Sequence, residues 1–394
     1  MKAHPDPAAA DTSHKKIMIL AGEPSGDVHG GHLAAEIRSA DPKASLFGIG
    51  GPNMAGQGVD LIFPIEKLSA MGLVEILGQF KQIRQAFQIF KETVRRRNPD
   101  LVILIDYPGF NLRAAAWLKA NTNAKVLYYI TPKVWAWNQK RLNKIKAHVD
   151  HAALIFPFEI PIYRRYGIPA TFVGNPLMDQ LPALTFNPAT GRDKPLTLGI
   201  LPGSRRAEIQ TLLPVLLQSA TDLRQDYPKM QILLSAAQSV QGELMEFVRD
   251  TLATYDPEGK ITLVEGQPEP IFQQANLLFA ASGTVTLEAA LRSIPTILVY
   301  KMSPVTYALA RLLVKVEHAG LANLVAGKEV MPELLQDDAE PEQICSLARK
   351  MLESPDTYRR RLDLVRRRLG PPGASKRAAR IALNLAARTP NKGI

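Results

Sequence analysis

Short unbroken apolar runs recur along this chain, and a longer stretch with helical spacing follows most of them. In the first half the runs are Ile17–Leu20, Ser45–Ile49, Leu101–Ile105, Lys125–Ile130 and Ala152–Phe156. In the second half they are Leu196–Leu201, Gln231–Ser235, Ile261–Val264, Leu277–Ala280 and Thr296–Val299. Runs that do not alternate with polar residues suit strands covered on both faces, as in a parallel sheet. Strands alternating with helices throughout predict an α/β protein. The segment Pro182 to Pro195 breaks the pattern with Pro, Gly and Asp and predicts a linker. Two nucleotide-scale α/β domains are therefore expected, spanning 16–182 and 195–365, and facing each other. Residues 1–15 lack the apolar core of a signal peptide and predict a disordered tail.

Two further stretches depart from the simple alternation. Leu68, Met71, Val74, Leu77, Phe80, Ile83, Phe87 and Phe90 fall three or four residues apart. Leu73 and Ile76 widen the apolar face, and Lys81, Arg84 and Lys91 add charge. Such a segment is usually a core-facing helix. Its width, with Gly72 and Gly78 near the ends of its first part, favours contact with a membrane interface or acyl chains. At the other end, Arg359–Arg361 and Arg366–Arg368 flank apolar Leu362, Leu364, Val365 and Leu369. Gly370-Pro371-Pro372-Gly373 then breaks the helix, and Ala374–Ala387 predicts a last one. The segment 366–394 can cross back to the first domain or to another subunit, which leaves room for a homodimer.

Composition adds two constraints. The formal net charge of +11 points to an anionic partner such as phosphate, nucleic acid or an acidic membrane face. The single Cys345 excludes an intramolecular disulfide and fits a reducing compartment. No run reaches the length of a membrane-spanning helix, so any membrane contact is peripheral.

The candidate chemistry sits where apolar runs end. After Ile17–Leu20 comes Ala21-Gly22-Glu23-Pro24-Ser25-Gly26-Asp27-Val28-His29-Gly30-Gly31, read as a glycine-rich loop before a helix from about His32 to Ile37. It places the carboxylates of Glu23 and Asp27 at the mouth of the first strand, where open α/β sheets bind ligands. After Leu101–Ile105 comes Asp106, a candidate general base, with Glu23 and Asp27 as the next choices. Capping of the following helix is the structural alternative for Asp106. In the second half, Gly203, Ser204 and Arg205 follow a strand and can gather a phosphate. Ser282, Gly283 and Thr284 open a helix predicted over Val285–Arg292 and offer hydroxyls and free amides to a diphosphate. Glu288, about one helical turn beyond Thr284, can accept hydrogen bonds from ribose hydroxyls. A plain Ser/Thr cap with a solvent-facing glutamate is the alternative there.

Other signals carry less. Trp135 and Trp137 before Asn138-Gln139-Lys140-Arg141 suit an interfacial anchor or packing beside a cleft equally. Gly48-Ile49-Gly50-Gly51-Pro52-Asn53 lacks the third glycine of a dinucleotide fingerprint. His29 with His32, and His148 with His151, have helical ligand spacing but no third ligand, so no metal is expected. Arg95-Arg96-Arg97 comes with no nucleic-acid-binding motif, so nucleic acid is not expected as a partner.

Seven motifs together resemble the lipid-A-disaccharide synthase family. They are Ala21–Asp27, Met71-Gly72-Leu73-Val74-Glu75, Ile105-Asp106, Val134-Trp135-Ala136-Trp137, Leu201–Arg205, Ala281–Thr284 and Asn323–Gly327, and the similarity runs from about Lys16 to the last helix. Gly109 departs from members that carry a second acid after the Asp-x-Pro sequence, which favours Asp106 over its neighbour. The resemblance implies a GT-B glycosyltransferase with two Rossmann-like domains that joins UDP-2,3-diacylglucosamine to 2,3-diacylglucosamine 1-phosphate (lipid X). Anomeric inversion would give the β-1,6-linked disaccharide 1-phosphate and UDP. It implies Asp106 as base, Arg205 and Asn323 in the donor site, and membrane or acceptor contact through Leu68, Met71, Val74, Ile76, Leu77 and Phe80. It implies no cofactor, since the UDP-sugar is a substrate. It also implies a peripheral position on an anionic membrane surface, the cytoplasmic face of the inner membrane. A UDP-GlcNAc 2-epimerase, a MurG-like transferase and a non-catalytic nucleotide–lipid binding protein are the competing readings.

Overall fold

The computed structural model describes residues 14–68, 76–135, 139–180, 195–302 and 318–387, with the side chains of 76–80 outside that description. The chain divides into two units, Met1–Gln180 with Pro371–Ile394, and Leu181–Gly370. The expected linker lies almost wholly outside the described residues, as do Met71, Val74, Trp137 and all but the end of the expected tail.

The first unit holds a seven-stranded parallel sheet. Its strands are β1 (Lys16–Ala21), β2 (Ser45–Gly50), β3 (Asp60–Pro64), β4 (Leu101–Ile105), β5 (Lys125–Tyr129), β6 (His151–Leu154) and β7 (Ala170–Phe172), in spatial order β3-β2-β1-β4-β5-β6-β7. All five residues of β4 are buried, as the unbroken apolar run requires of a strand covered on both faces. The second unit holds six parallel strands: β8 (Thr197–Leu201), β9 (Gln231–Ala237), β10 (Ile261–Gly266), β11 (Leu277–Ala281), β12 (Thr296–Tyr300) and β13 (Glu333–Leu335). Their order is β10-β9-β8-β11-β12-β13. In each sheet the order reverses beside the first strand, between β1 and β4 and between β8 and β11. That reversal is where doubly wound sheets open a ligand crevice.

The first helix, α1 (Pro24–Ala40), begins well before the expected His32. Pro24 fits a helix's first turn because its fixed φ is already helical and the missing N–H is not needed there. The glycines that read as a loop lie on a helix face pressed against its neighbour. A Cβ on Gly30 would stand 2.6 Å from the Met54 sulfur, so only hydrogen fits.

The helix α3 (Ile76–Arg97) explains most of the wide apolar stretch. Phe90 is fully buried, with its ring centroid 6.3 Å from Phe110 and 5.5 Å from Trp117. Both partners lie on α4 (Pro108–Asn121). Truncating Phe90 to Ala would cost about 3–5 kcal/mol. Ile83 and Phe87 pack half-buried on the same core. Leu68, expected at the membrane, is 2% exposed within this core, because the short helix Ile65–Lys67 turns it under the sheet. That expectation is corrected for Leu68. Among the described residues no helix is long and apolar enough to cross a membrane.

The arginine-rich helix Pro355–Leu369 stays with the second unit, burying Leu362, Val365 and Leu369. The return to the first unit begins at Pro371 rather than at residue 366. There the helix Ala374–Ala386 lays Ala378, Ala379, Ala382 and Ala386 into the core shared with α1. Asp179 accepts hydrogen bonds from the backbone N–H groups of Gly373, Ala374 and Ser375, capping that helix.

Candidate active site

Asp106 stands at the carboxyl end of β4, at the reversal point of the first sheet. Its backbone is strained. Asp106 and Tyr107 have φ of 44° and 43°, and Ile130, beyond β5, has φ of 58°. Left-handed backbone costs non-glycine residues of order 1–3 kcal/mol and persists where neighbours over-determine it. The neighbours are present here. The Asp106 N–H donates to the Ile130 carbonyl at 3.2 Å. The Asp106 carbonyl accepts from Asn111 Nδ2 and from the Tyr128 hydroxyl, both at 2.8 Å. These bonds hold the Asp106 backbone, and its side chain is half-buried.

Burial pushes the Asp106 carboxyl above the usual range, while the Lys133 ammonium, the Tyr107 N–H and the Arg141 guanidinium pull the other way. Lys133 follows β5, and Arg141 lies in the first turn of α5 (Lys140–His148). Glu23, just before α1, is also raised, by burial first and by the Asp106 charge second. The Tyr107 ring packs over Gly22, where a Cβ would stand 2.1 Å from it, and its hydroxyl is raised by burial and by Glu23. Asp106, Glu23 and Tyr107 thus form one cluster. A carboxylate raised in this way binds a proton more readily and is better suited to general-base work.

Asp27 does not belong to that cluster. It is 1% exposed, and both its oxygens are occupied. Oδ1 accepts from the N–H groups of Gly51 (2.7 Å) and Met54 (3.1 Å), and Oδ2 from the N–H (2.9 Å) and Nδ2 (2.8 Å) of Asn53. It holds the start of α2 (Pro52–Gly56) against α1. Its expected place at the mouth is corrected, because the early start of α1 turns it inward.

A second buried carboxyl escaped the sequence reading. Glu159, 2% exposed, accepts from the Phe156 N–H, and burial pushes it up to about 8. Trp135, beside it, meets Phe158 edge-on at 5.2 Å between centroids.

The second unit brings its candidates to its own reversal point. Gly203, after β8, has φ of 103° and a Cβ there would stand 2.7 Å from Glu208, so the turn requires glycine. Arg205 reaches outward, its side chain 80% exposed, and pairs with Glu208 at 2.8 Å. Tyr300, at the end of β12, is raised by burial and by Glu208 and lowered by Arg205, which joins these three groups electrostatically. After β11, the helix Thr284–Leu291 starts at Gly283 with no side chain capping it. Thr284 is exposed, and helix starts without a cap carry N–H groups able to receive an anion. Ser282 Oγ instead donates to the Ala319 carbonyl at 2.9 Å. Glu288 is half-buried, and burial raises its carboxyl.

Asn323 was expected to touch the donor. It is fully buried, and its amide is saturated. Nδ2 donates to the Met331 carbonyl and to Glu333, both at 2.7 Å, and Oδ1 accepts from the N–H groups of Val330 and Met331. No valence remains for a ligand. Glu333 in turn accepts from the N–H groups of Ala319 and Gly320, so Asn323 supports the loop that Ser282 binds. Direct contact is corrected to a positioning role.

Two parallel α/β units, each with its candidate chemistry at the strand reversal, have the GT-B glycosyltransferase architecture. The chain is similar to UDP-GlcNAc 2-epimerase from Neisseria meningitidis bound to UDP-GlcNAc, at 13% identity and TM-score 0.65 over 94% of this chain and 100% of that one. It is similar to MurG from Acinetobacter baumannii at 15% identity and TM-score 0.58, over 94% and 99% of the two chains. Likeness at such identities speaks for the fold. The family follows from the sequence. The lipid-A-disaccharide synthetase family profile matches residues 17–373. Lipid-A-disaccharide synthases of Trichlorobacter lovleyi and Geobacter sulfurreducens are 42% and 40% identical, over 94% and 95% of this chain and 97% and 98% of theirs. The chain belongs to this family and is a glycosyltransferase of lipid A biosynthesis.

Proposed function

We propose that this chain transfers 2,3-diacylglucosamine from UDP to the 6-hydroxyl of 2,3-diacylglucosamine 1-phosphate, inverting the anomeric centre. Asp106 takes the hydroxyl proton as the oxygen attacks the anomeric carbon. The bond from that carbon to the diphosphate breaks, and its electron pair leaves on UDP. One in-line attack on the face opposite UDP gives the β-1,6 linkage. The observation that carries the reading is Asp106 itself, a carboxylate fixed at the reversal point by strained, fully bonded backbone and made more basic by burial.

In the same reading, Arg205 and the start of the helix Thr284–Leu291 receive the diphosphate, where their charge also steadies the leaving group. Glu288 accepts the ribose hydroxyls, and Gly203 and Ser204 bring backbone close to the phosphates. Glu23, whose own carboxyl is raised by burial and by the Asp106 charge, stands beside that base. UDP-sugar is a substrate, and the reaction as written needs no cofactor. We assign peripheral contact with an anionic membrane to the stretch around Met71, Val74, Ile76, Leu77 and Phe80. Its apolar side chains and adjoining Lys81 and Arg84 support this. The test is UDP release with purified protein and defined acyl donor. Release that requires 2,3-diacylglucosamine 1-phosphate supports the reading. Equal release without any acceptor contradicts it.

A further inference from the structure

We propose that Lys133 and Arg141 form an anion subsite beside Asp106 that grips the acceptor's phosphate, so that the anionic acceptor itself switches the base on. The proposal deepens the function above and rests on its reading of Asp106 as base. The groups converge by topology. The Asp106 N–H bonds the Ile130 carbonyl, three residues before Lys133. Arg141 opens α5, which packs against α4, the helix that starts just past Asp106. Lys133 is exposed and has no ion-pair partner among the described residues. Some other basic groups of this unit are paired, Lys15 with Asp41, Arg97 with Asp60, and Lys119 and Lys125 with Asp150.

Two cations beside a general base pose a chemical problem. They stabilise the carboxylate and so weaken its pull on a proton, and both oppose the rise that burial gives Asp106. The other titratable groups around them do not cancel this charge. Glu159 also feels Lys133 but burial pushes it up to about 8, and Glu23, on the α1 side, is itself raised by burial and by the Asp106 charge. A phosphate seated on Lys133 and Arg141 would neutralise them and restore basicity at Asp106 when the acceptor is in place. A guanidinium and an ammonium suit a phosphate monoester, the first by paired N–H groups and the second as a point charge. Hydrolysis of the donor by water, which carries no phosphate, would then meet a weaker base.

The test compares Lys133→Ala and Lys133→Arg with the parent enzyme on two acceptors, 2,3-diacylglucosamine 1-phosphate and the same lipid without phosphate. With the phosphorylated acceptor, Lys133→Ala should lose about 10- to 100-fold in kcat/KM, mostly through KM. Lys133→Arg should recover most of it. With the unphosphorylated acceptor Lys133→Ala should lose nothing and turn over faster at the plateau, because a cation that weakens Asp106 is gone, and for the same reason the acid limb should move to higher pH. Equal losses on both acceptors would make Lys133 a support for its loop and overturn the proposal. An unmoved acid limb would do the same. A parent enzyme that uses neither acceptor would refute the assigned reaction instead.

Discussion

Replacing Asp27 with Asn separates a structural carboxylate from a catalytic one. In the folded chain each Asp27 oxygen accepts two hydrogen bonds, from Gly51 and Met54 on one side and from both nitrogens of Asn53 on the other. An amide keeps one oxygen. Its NH2 group then faces two N–H donors, in a site where Asp27 is 1% exposed and water cannot substitute. Two charge-assisted bonds are lost and donors are left facing donors, a cost of about 3–5 kcal/mol. For a unit of this size that lowers Tm by roughly 6–20 °C. Differential scanning calorimetry reads the shift, with Glu23→Gln as the control. Glu23 is exposed, so its substitution should change stability by no more than about 0.5 kcal/mol. Unchanged melting of Asp27→Asn together with lost turnover would refute the reasoning and return Asp27 to the catalytic group.

Three further outcomes follow from the geometry. Arg205→Ala should weaken UDP binding by about 1.5–3 kcal/mol in a calorimetric titration, and an unchanged Kd would make Arg205 a surface charge paired with Glu208. Glu159 is raised to about 8 from 4.5 unfolded, so the folded chain holds a proton that the unfolded chain releases between those values, and stability falls as pH rises through that window. Glu159→Gln, which carries no titrating proton, should remove up to about 3–4 kcal/mol of that fall in chemical denaturation at pH 5 and pH 8, and identical slopes for both proteins would contradict the assignment. Val74→Ser with Leu77→Ser should reduce co-sedimentation with anionic vesicles and barely change Tm, whereas a large Tm loss with unchanged vesicle binding would end the membrane reading.

Much of the fold was legible in the chain because buried parallel strands write themselves as unbroken apolar runs. β4 is the clearest case, matching Leu101–Ile105 residue for residue. β7 and β13 were not legible, since three residues each and partial exposure leave no periodic signal. β3 lies at a sheet edge, half-covered, and is lost for the same reason. The start of α1 was hidden because Pro24, Ser25 and Gly26 read as a turn by composition, while their backbone is helical. Asp106 could be found from its place after a strand. The left-handed backbone at Asp106, Tyr107 and Ile130 could not, since it arises from bonds to Asn111 and Tyr128 that no local pattern encodes. Asn323 shows the converse limit. A residue within a recognisable motif proved to be fully used in holding its own loop.

The central claim is that Asp106 is the base of a glycosyl transfer, and Asp106→Asn tests it most directly. The amide preserves shape and can still accept a hydrogen bond, but it cannot take the acceptor's proton. UDP affinity measured by calorimetry should be unchanged, because the nucleotide groups are assigned to the other unit. Turnover with UDP-2,3-diacylglucosamine and 2,3-diacylglucosamine 1-phosphate should fall about 10²–10⁴-fold. Near-normal turnover in the folded variant, with UDP still bound, would contradict the account and move the base to Glu23.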